Sequence, residues 1–301
     1  MFRAVVDYKA NATPKCQSLI IKTLPELEGQ KKDLLSQSFI FETEIGMYTE
    51  VLPRFEENLR KAGDKTTLKP PWLYYSLSPH KVLVLDDIVP KGFELIRDRA
   101  MTMEEAKAAY ERLAKWHAVS FKIIKQELHF FDRYQHGLFT MPNLLNEGLM
   151  TDGIKFFIEM LKKKATLHQF VPHFEALRPV ILQRCLDTFR EFRETPRADA
   201  YYVLCHGDFT IKNMMFKHNS ADGSLVDVQL LDFQLSYVGS IASDLIYSMV
   251  QLLDEHLRKQ FPILVEYYFN IFIETLLKLK YKGALPKLEK LREQLVWHKH
   301  F

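Results

Sequence analysis

The sequence LCHGDFTIKNMMF at residues 204–216, followed by VQLLDFQ at 228–234, combines short apolar runs with several polar side chains. The apolar runs are too short for helices and rich in Val, Leu, Met and Phe, which is typical of short buried strands. The turn-rich sequence KHNSADGS separates the last two runs and favours a hairpin between them. The predicted strands are Tyr201–Cys205, Met214–Phe216 and Val228–Leu231.

The polar residues of this segment are of the kinds that phosphoryl transfer requires. Asn213 follows Asp208 by five residues, and Asp232 ends the last predicted strand. The hairpin would return Asp232 to the end at which Asp208 and Asn213 lie. A carboxylate can orient an attacking hydroxyl or take its proton, and carboxylate and amide oxygens hold Mg²⁺ against nucleotide phosphates. We therefore predict that Asp208, Asn213 and Asp232 are catalytic, with Asn213 and Asp232 as the metal ligands.

Composition and charge exclude several other classes of protein. The chain has 301 residues, 47% of them hydrophobic, with only 11 glycines and a net charge of +3 from 41 basic and 38 acidic residues. This length allows a large core and excludes a disordered or fibrous chain. The balanced charge argues against nucleic acid or a polybasic membrane anchor as a partner. We expect a small-molecule partner.

The cysteines and the apolar runs bear on the compartment. Cys16, Cys185 and Cys205 lie far apart and show no metal-binding spacing, so neither a disulfide framework nor a zinc site is supported. No run of 18 or more apolar residues occurs, and MFRAVVDYKA lacks the apolar run of a secretory signal. We expect a cytoplasmic monomer without a membrane span.

The pattern of the sequence changes near residue 90. Before it, Phe2–Val6, Ser18–Lys22 and Val82–Leu85 are predicted to be strands, and Lys31–Leu52 is predicted to be a helix that ends at Pro53. These elements indicate a small β-rich lobe.

Helical periodicity dominates the remainder. Thr102 and Glu105 form a capping-box pattern, and helices are also expected over 243–281 and 286–297. The predicted organisation is therefore an N-terminal lobe at residues 1–90 and a larger helical lobe at 91–301, with a connector near Asp86 to Gly92.

The motif HGDxxxxN with a following D-F-x resembles small-molecule kinases of the protein-kinase-like fold, among them aminoglycoside phosphotransferases and choline kinases. The chain is most similar to the ecdysteroid kinase-like (CHK kinase-like) family of arthropods, and the resemblance extends over essentially its whole length. The blocks that carry it are SLIIKTLPE (18–26), FETEIGMYTEVLP (41–53), LVLDDI (83–88), LAKWHAVSF (113–121) and LLDFQLSYVGSIASDLIY (230–247).

This resemblance implies an α+β, two-lobed, kinase-like fold and an ATP- and Mg²⁺-dependent phosphotransferase. Its substrate would be a hydroxyl of a small, largely apolar molecule, either an ecdysteroid or a xenobiotic-like alcohol or phenol. The region 130–175, rich in Phe, Leu and Met, is expected to help line the acceptor pocket.

The resemblance also assigns residues to the nucleotide. Lys22 would contact the α- and β-phosphates, with Glu44 as its ion-pair partner. Glu42 would face about 160° away from Glu44 on an α-helix. Asp86 and Asp87 would lie at the hinge where main-chain groups receive adenine, with carboxylates that cap the surface.

Three further residues are interpreted as structural. His206 is expected to hold the catalytic loop through hydrogen bonds, and His117 to be a satisfied interior histidine. Asp244 resembles the family's aspartate that ties the catalytic loop to the following helix.

One departure from the family concerns glycine. Family members carry a strand and a glycine-bearing turn over the nucleotide phosphates, whereas Met1 leads directly into the strand that follows that turn. We therefore expect an N-terminally truncated lobe. An incomplete gene model, a natural short form with weak nucleotide affinity and a relic that binds without turnover are all open explanations.

A non-catalytic, nucleotide- or ligand-binding pseudokinase is accordingly the alternative function. The sequence contains neither the nucleophile elbow expected for acyl transfer nor the dinucleotide fingerprint expected for hydride transfer.

Overall fold

A computed structural model describes residues 1–11, 13–24, 38–127, 129–140 and 148–299, and every structural statement below refers to these residues. The fold class is confirmed as α+β, with an antiparallel sheet in the N-terminal part and mainly helices after it. No helix among the described residues is long and apolar enough to cross a membrane.

The N-terminal sheet contains four strands within the described residues, one more than the sequence predicts, and their order is β1-β2-β4-β3. The additional strand has the sequence WLYYS, whose aromatic residues favour a strand. Lys22 stands opposite Leu83 in the central pair of strands. The bounds are β1 Phe2–Ala10, β2 Thr13–Thr23, β3 Trp72–Ser76 and β4 Val82–Asp86.

The prediction that Pro53 ends the first helix is wrong. Helix α1 at Ile40–Gly46 continues through a π-helical turn at Met47–Val51 into α2 at Leu52–Lys61, and Pro53 lies in the first turn of α2. Proline interrupts a regular helix because it lacks an N–H and its ring clashes with the carbonyl four residues earlier. Here a π-helical turn directly precedes Pro53, and the Leu52 amide bonds the Met47 carbonyl five residues earlier. The predicted start at Lys31 lies outside the described residues.

The predicted capping box is confirmed at the start of the longest helix. The Glu105 amide donates to the Thr102 hydroxyl at 3.2 Å, and the Thr102 amide donates to the Glu105 carboxylate at 2.7 Å. The helix, α3 at Met103–Gln126, packs along α9. The remaining helices are α4 Gly148–Lys163, α5 Val171–Leu177, α6 Ile181–Glu194, α7 Ile241–Gln251, α8 Glu255–Lys259, α9 Phe261–Lys278 and α10 Leu288–Trp297.

Two short sheets carry the motif segment. The predicted hairpin is confirmed: β7 at Met214–His218 pairs antiparallel with β8 at Leu225–Leu230. The Leu231 amide donates to the Asn213 carbonyl at 2.9 Å, so the two ends of the hairpin meet. A short strand, β5 at Phe93–Glu94, pairs with β7, and β6 at Tyr202–Cys205 pairs with β9 at Tyr237–Ser240.

A continuous cluster of buried apolar side chains runs from the α1–α2 segment into the helical part. Phe55 on α2 contacts the ring of Trp116 on α3, with ring centroids 5.9 Å apart. The Trp116 indole N–H donates to the Leu204 carbonyl at 2.6 Å. This packing links the helix that carries Glu44 to the strand that precedes the HGD motif.

Candidate active site

The loop after β6 depends on glycine at position 207. Gly207 has a φ of +81°, and a Cβ there would lie 2.0 Å from the main-chain oxygen of Leu235. Residues with a side chain rarely adopt this φ. The clash would be with main-chain atoms of Leu235, which cannot move aside as the end of a flexible side chain can. The G of the HGD motif is therefore a steric requirement, and it sets the direction in which Asp208 leaves the strand.

Both oxygens of the Asp208 carboxylate are held by side chains. Asn213 Nδ2 donates to Oδ2 at 2.8 Å and to the Asp208 main-chain oxygen at 3.0 Å. The Tyr247 hydroxyl on α7 donates to Oδ1 at 2.9 Å. The structure thus brings Asp208 and Asn213 together, and it adds a tyrosine that the motif analysis missed.

Asp244 joins the loop that follows β6 to α7. Its carboxylate accepts hydrogen bonds from the amides of His206 at 2.6 Å and Gly207 at 3.0 Å. His117 Nε2 lies 3.1 Å from the same carboxylate, and His117 Nδ1 lies 2.6 Å from the Tyr268 hydroxyl. Burial by itself would raise the pKa of Asp244, but the hydrogen bonds from His117 and Gly207 outweigh it and lower the pKa. A buried, ionised carboxylate therefore holds the loop.

His206 supports the loop from within the core. Its side chain is fully buried; Nε2 lies 3.1 Å from the Leu231 carbonyl, and Nδ1 lies 3.4 Å from the Asp208 amide. Burial lowers the pKa of His206, which favours the neutral ring. A neutral ring that donates from Nε2 to Leu231 and accepts at Nδ1 from Asp208 satisfies both contacts.

Lys22 connects the N-terminal sheet to the hairpin. Its Nζ lies 2.5 Å from Glu44 Oε1 and 3.4 Å from Asp232 Oδ1. Glu44 faces inward with a side chain 4% exposed, whereas Glu42 faces outward and pairs with Lys81 at 2.7 Å. The α-helical geometry of α1 separates the two glutamates in this way.

The charge state of Lys22 follows from its two carboxylate neighbours. Burial by itself would lower the pKa of Lys22, but the charges of Glu44 and Asp232 outweigh it and raise the pKa. Burial raises the pKa of Glu44, against the opposing effect of the Lys22 charge. Lys22 is therefore a fixed cation at neutral pH.

Asp232 has the features of a cation ligand. It adopts a φ of +62°, which is uncommon for a residue with a side chain and occurs often at functional sites. Oδ1 is buried and accepts no hydrogen bond from the described residues, although the Lys22 ammonium lies nearby. Asn213 uses its amide nitrogen on Asp208, which leaves its side-chain oxygen available as an acceptor. A carboxylate oxygen and an amide oxygen suit Mg²⁺. Phosphate oxygens and water would complete its coordination shell.

Lys22, Asn213 and Asp232 line a cleft of about 540 Å³ between the N-terminal sheet and the β7–β8 hairpin. The apolar residues that line it come from β2, β4 and the short strands, among them Ile20, Leu85, Phe93, Met215 and Leu231. An apolar slot next to a cationic and acidic cluster has the features needed to bind a nucleotide.

The hinge aspartates line the same cleft, but the expectation that both carboxylates cap the surface is wrong for Asp87. The Asp87 side chain is buried and accepts from the Ser18 hydroxyl at 2.7 Å, from Arg3 Nε at 2.7 Å and from the Val89 amide at 3.1 Å. Asp86 instead pairs with Lys91 and accepts from Gln17 at 3.3 Å. Asp87 is therefore a structural link between the hinge and the first two strands.

The match to a family model agrees with this picture. The sequence model of the ecdysteroid kinase-like family matches residues 1–281, and the chain belongs to that family. A search among curated proteins finds no match. The family and the site together indicate a small-molecule kinase.

Similar solved structures include phosphotransferases of low sequence identity. The ADP-bound aminoglycoside phosphotransferase APH(2'')-Ib has 15% identity and a TM-score of 0.39, over 99% of this chain and 92% of that one. The streptomycin–ATP ternary complex of APH(2'')-IIa has 16% identity and a TM-score of 0.42, over 99% and 92%. The macrolide 2'-phosphotransferase MphH from Brachybacterium faecium has 13% identity and a TM-score of 0.39, over 97% and 78%.

Proposed function

We propose that this protein transfers the γ-phosphoryl group of ATP to a hydroxyl of a small, largely apolar molecule, such as an ecdysteroid or a xenobiotic-like alcohol or phenol. The observation that carries the proposal is that Lys22, Asn213 and Asp232 line one cleft, with Glu44 paired to Lys22 and Asp208 bonded to Asn213. The Lys22–Glu44 pair is formed, and kinases require this pair for activity.

Each residue then has a role in the reaction. Asp208 accepts a hydrogen bond from the acceptor hydroxyl, orients its oxygen towards the γ-phosphorus, and receives the proton. The new bond joins that oxygen to phosphorus, the bond from phosphorus to the ADP oxygen breaks, and ADP leaves. Lys22 neutralises charge on the α- and β-phosphates. Asn213 and Asp232 would hold Mg²⁺, which when bound offsets charge on the phosphate oxygens.

The nucleotide base would lie in the apolar part of the cleft, next to the hinge. Among the described residues, the Ile88 amide follows Asp87 and makes no hydrogen bond, so we assign it as a donor to adenine. The division into lobes at 1–90 and 91–301 belongs to the same proposal, since the cleft is lined from both sides of residue 90.

The acceptor side rests on the resemblance and on the region 130–175. Its described part exposes Phe156, Phe157 and Phe170, which could contact an apolar molecule, and residues 141–147 lie outside the described residues. The identity of the acceptor is therefore proposed from the family resemblance and from these exposed aromatic side chains.

Nucleotide binding is tested by thermal unfolding with Mg²⁺ and ATP. A nucleotide present at 100 times its Kd stabilises the folded state by about 2.7 kcal/mol, which corresponds to a Tm increase of roughly 5–10 °C. No increase at saturating ATP would overturn the kinase proposal.

Turnover is tested with hydroxylated steroids and phenols, by following radiolabelled phosphate into product. Asp208→Asn should abolish transfer, whereas Asp187→Asn, an exposed carboxylate on α6, should leave it unchanged. Transfer that survives Asp208→Asn shows that another residue acts on the hydroxyl. Binding of ATP without transfer to any acceptor would favour the pseudokinase.

A further inference from the structure

A tyrosine to which the sequence motifs assign no role contacts the group proposed to act on the acceptor. Tyr247 is half-buried on α7, and its hydroxyl donates to Asp208 Oδ1 at 2.9 Å. It lies three residues after Asp244, so the same helix holds the catalytic loop twice. Asp244 binds the main chain of the loop at His206 and Gly207, and Tyr247 binds its reacting side chain.

The two carboxylate oxygens of Asp208 have different surroundings. Oδ2 receives Asn213 Nδ2 at 2.8 Å and therefore faces the residue assigned to the metal. Oδ1 receives only Tyr247 among the described residues. A carboxylate oxygen can accept two hydrogen bonds, so Oδ1 can receive an acceptor hydroxyl while Tyr247 remains bound.

The tyrosine is a donor at neutral pH. Burial raises the pKa of Tyr247, and the negative charge of Asp208 raises it further. Its proton therefore stays on the hydroxyl and points at the carboxylate. Two donors on opposite oxygens prevent the carboxylate from rotating, which a single donor would allow.

We propose that Tyr247 is a positioning residue for phosphoryl transfer: its hydroxyl holds Asp208 so that Oδ1 faces the acceptor hydroxyl. This inference rests on the proposed function. Without the Tyr247 hydroxyl, Asp208 would keep one side-chain donor among the described residues, Asn213 on Oδ2, and Oδ1 could turn away from the acceptor hydroxyl.

The kinetic experiment compares Tyr247→Phe with Tyr267→Phe. Tyr267 also donates to a carboxylate, Glu111 at 3.4 Å, but lies on α9 and does not line the cleft. Tyr247→Phe should lower kcat about tenfold with the KM for ATP unchanged, because it misplaces the group that acts on the hydroxyl without touching the nucleotide site. Tyr267→Phe should behave as wild type.

Wild-type turnover together with an unchanged kcat in Tyr247→Phe overturns this inference and leaves the proposed function standing. An equal loss of kcat in Tyr247→Phe and Tyr267→Phe also overturns it, because a general effect on the fold explains that result. If the wild-type protein phosphorylates no acceptor, the proposed function fails.

The contact itself is tested without activity by thermal unfolding of a double-mutant cycle. Tyr247→Phe should lower the Tm by about 2–4 °C in the wild-type chain and by less than half as much when Asp208→Ala is already present. Equal decreases in the two backgrounds show that the hydroxyl does not hold Asp208, and this overturns the inference whether or not turnover is found.

Discussion

The loop that follows β6 and the first two strands lie on opposite sides of the same cleft, and their side chains are held in different ways. The loop is held from within the core by Asp244, His206 and His117, all of them buried. The Lys22 side chain on β2 is 18% exposed, and the buried glutamate that pairs with it is Glu44. Phe2 and Tyr8 on β1 remain exposed.

This difference predicts that the loop contributes to both stability and activity, whereas the strands contribute mainly to activity. The groups that would act on the acceptor hydroxyl are held by buried, charge-assisted hydrogen bonds, which contribute to folding as well as to geometry. The groups that would contact the nucleotide phosphates lie on a sheet whose contribution to the core is smaller. Substitutions in the loop should therefore reduce stability and activity together, and substitutions in the strands should reduce mainly activity.

The largest effect is expected at Gly207. Gly207→Ala should lower the free energy of unfolding by more than about 4 kcal/mol, because the new Cβ meets backbone as well as an unfavourable φ. Gly223→Ala is the matched control, since Gly223 has a φ of +72° but nothing within 4 Å of its Cβ position. It should cost only about 1–2 kcal/mol. Denaturant unfolding measures both, and equal costs would contradict the steric explanation.

The next effect is expected at Asp244. Asp244→Asn should lower the free energy of unfolding at pH 7 by about 3 kcal/mol, because the amide cannot accept from His117 and both loop amides as the carboxylate does.

The pH dependence of this effect has a defined sign. Folding lowers the pKa of Asp244, so its contribution is complete above the ordinary aspartate pKa of about 4 and is lost as the pH falls through the lower, folded value. The difference between wild type and Asp244→Asn should shrink below pH of about 4 in urea titrations. A difference that grows on acidification would show that the carboxylate is not the stabilising form.

On the opposite side of the cleft, Lys22→Met should reduce kcat/KM for ATP by about 100-fold, since it removes the cation at the phosphates. Lys81→Met is the matched control, because Lys81 also pairs with a glutamate of α1, at 2.7 Å, but on the outer face. It should change kcat/KM less than twofold. Similar losses of kcat/KM in both variants would mean that the position of helix α1, rather than the cation in the cleft, determines the rate.

The smallest effect is expected at Arg3. Arg3→Ala removes an exposed partner of Asp87, which keeps its bonds to Ser18 and Val89. Its cost in unfolding free energy should stay below about 1 kcal/mol, and the Kd for MgATP should rise about threefold. Calorimetry of MgATP binding checks this against Arg54→Ala, a surface pair with Glu127 away from the cleft. A tenfold larger Kd would show that β1 holds the nucleotide more firmly than its exposure indicates.

Much of this arrangement could be predicted from local sequence. The capping box of α3 and the β7–β8 hairpin depend on residues close together in the chain, and the structure confirms both. The interpretation of Pro53 as a helix end failed because the π turn before it forms in the context of the packed core. The prediction that the Asp87 carboxylate caps the surface was wrong because its partners Ser18 and Arg3 come from strands distant in the sequence.

Tyr247 shows the same limit within the site. Its sequence context, DLIY, reads as the apolar side of a helix and contains no signal of a contact with Asp208, 39 residues earlier. A periodic pattern indicates which face of a helix is apolar, but not which loop lies against that face.

The amino-acid sequence by itself determined the family, the α+β class and the residues that phosphoryl transfer would use, because these follow from motifs and from patterns of neighbouring residues. Only the tertiary structure decided which side chains hold those residues: Glu44 rather than Glu42 at Lys22, Tyr247 at Asp208, and Ser18 with Arg3 at Asp87. The physical reason is that charge-assisted hydrogen bonds act over about 3 Å between atoms that folding brings together from distant parts of the chain.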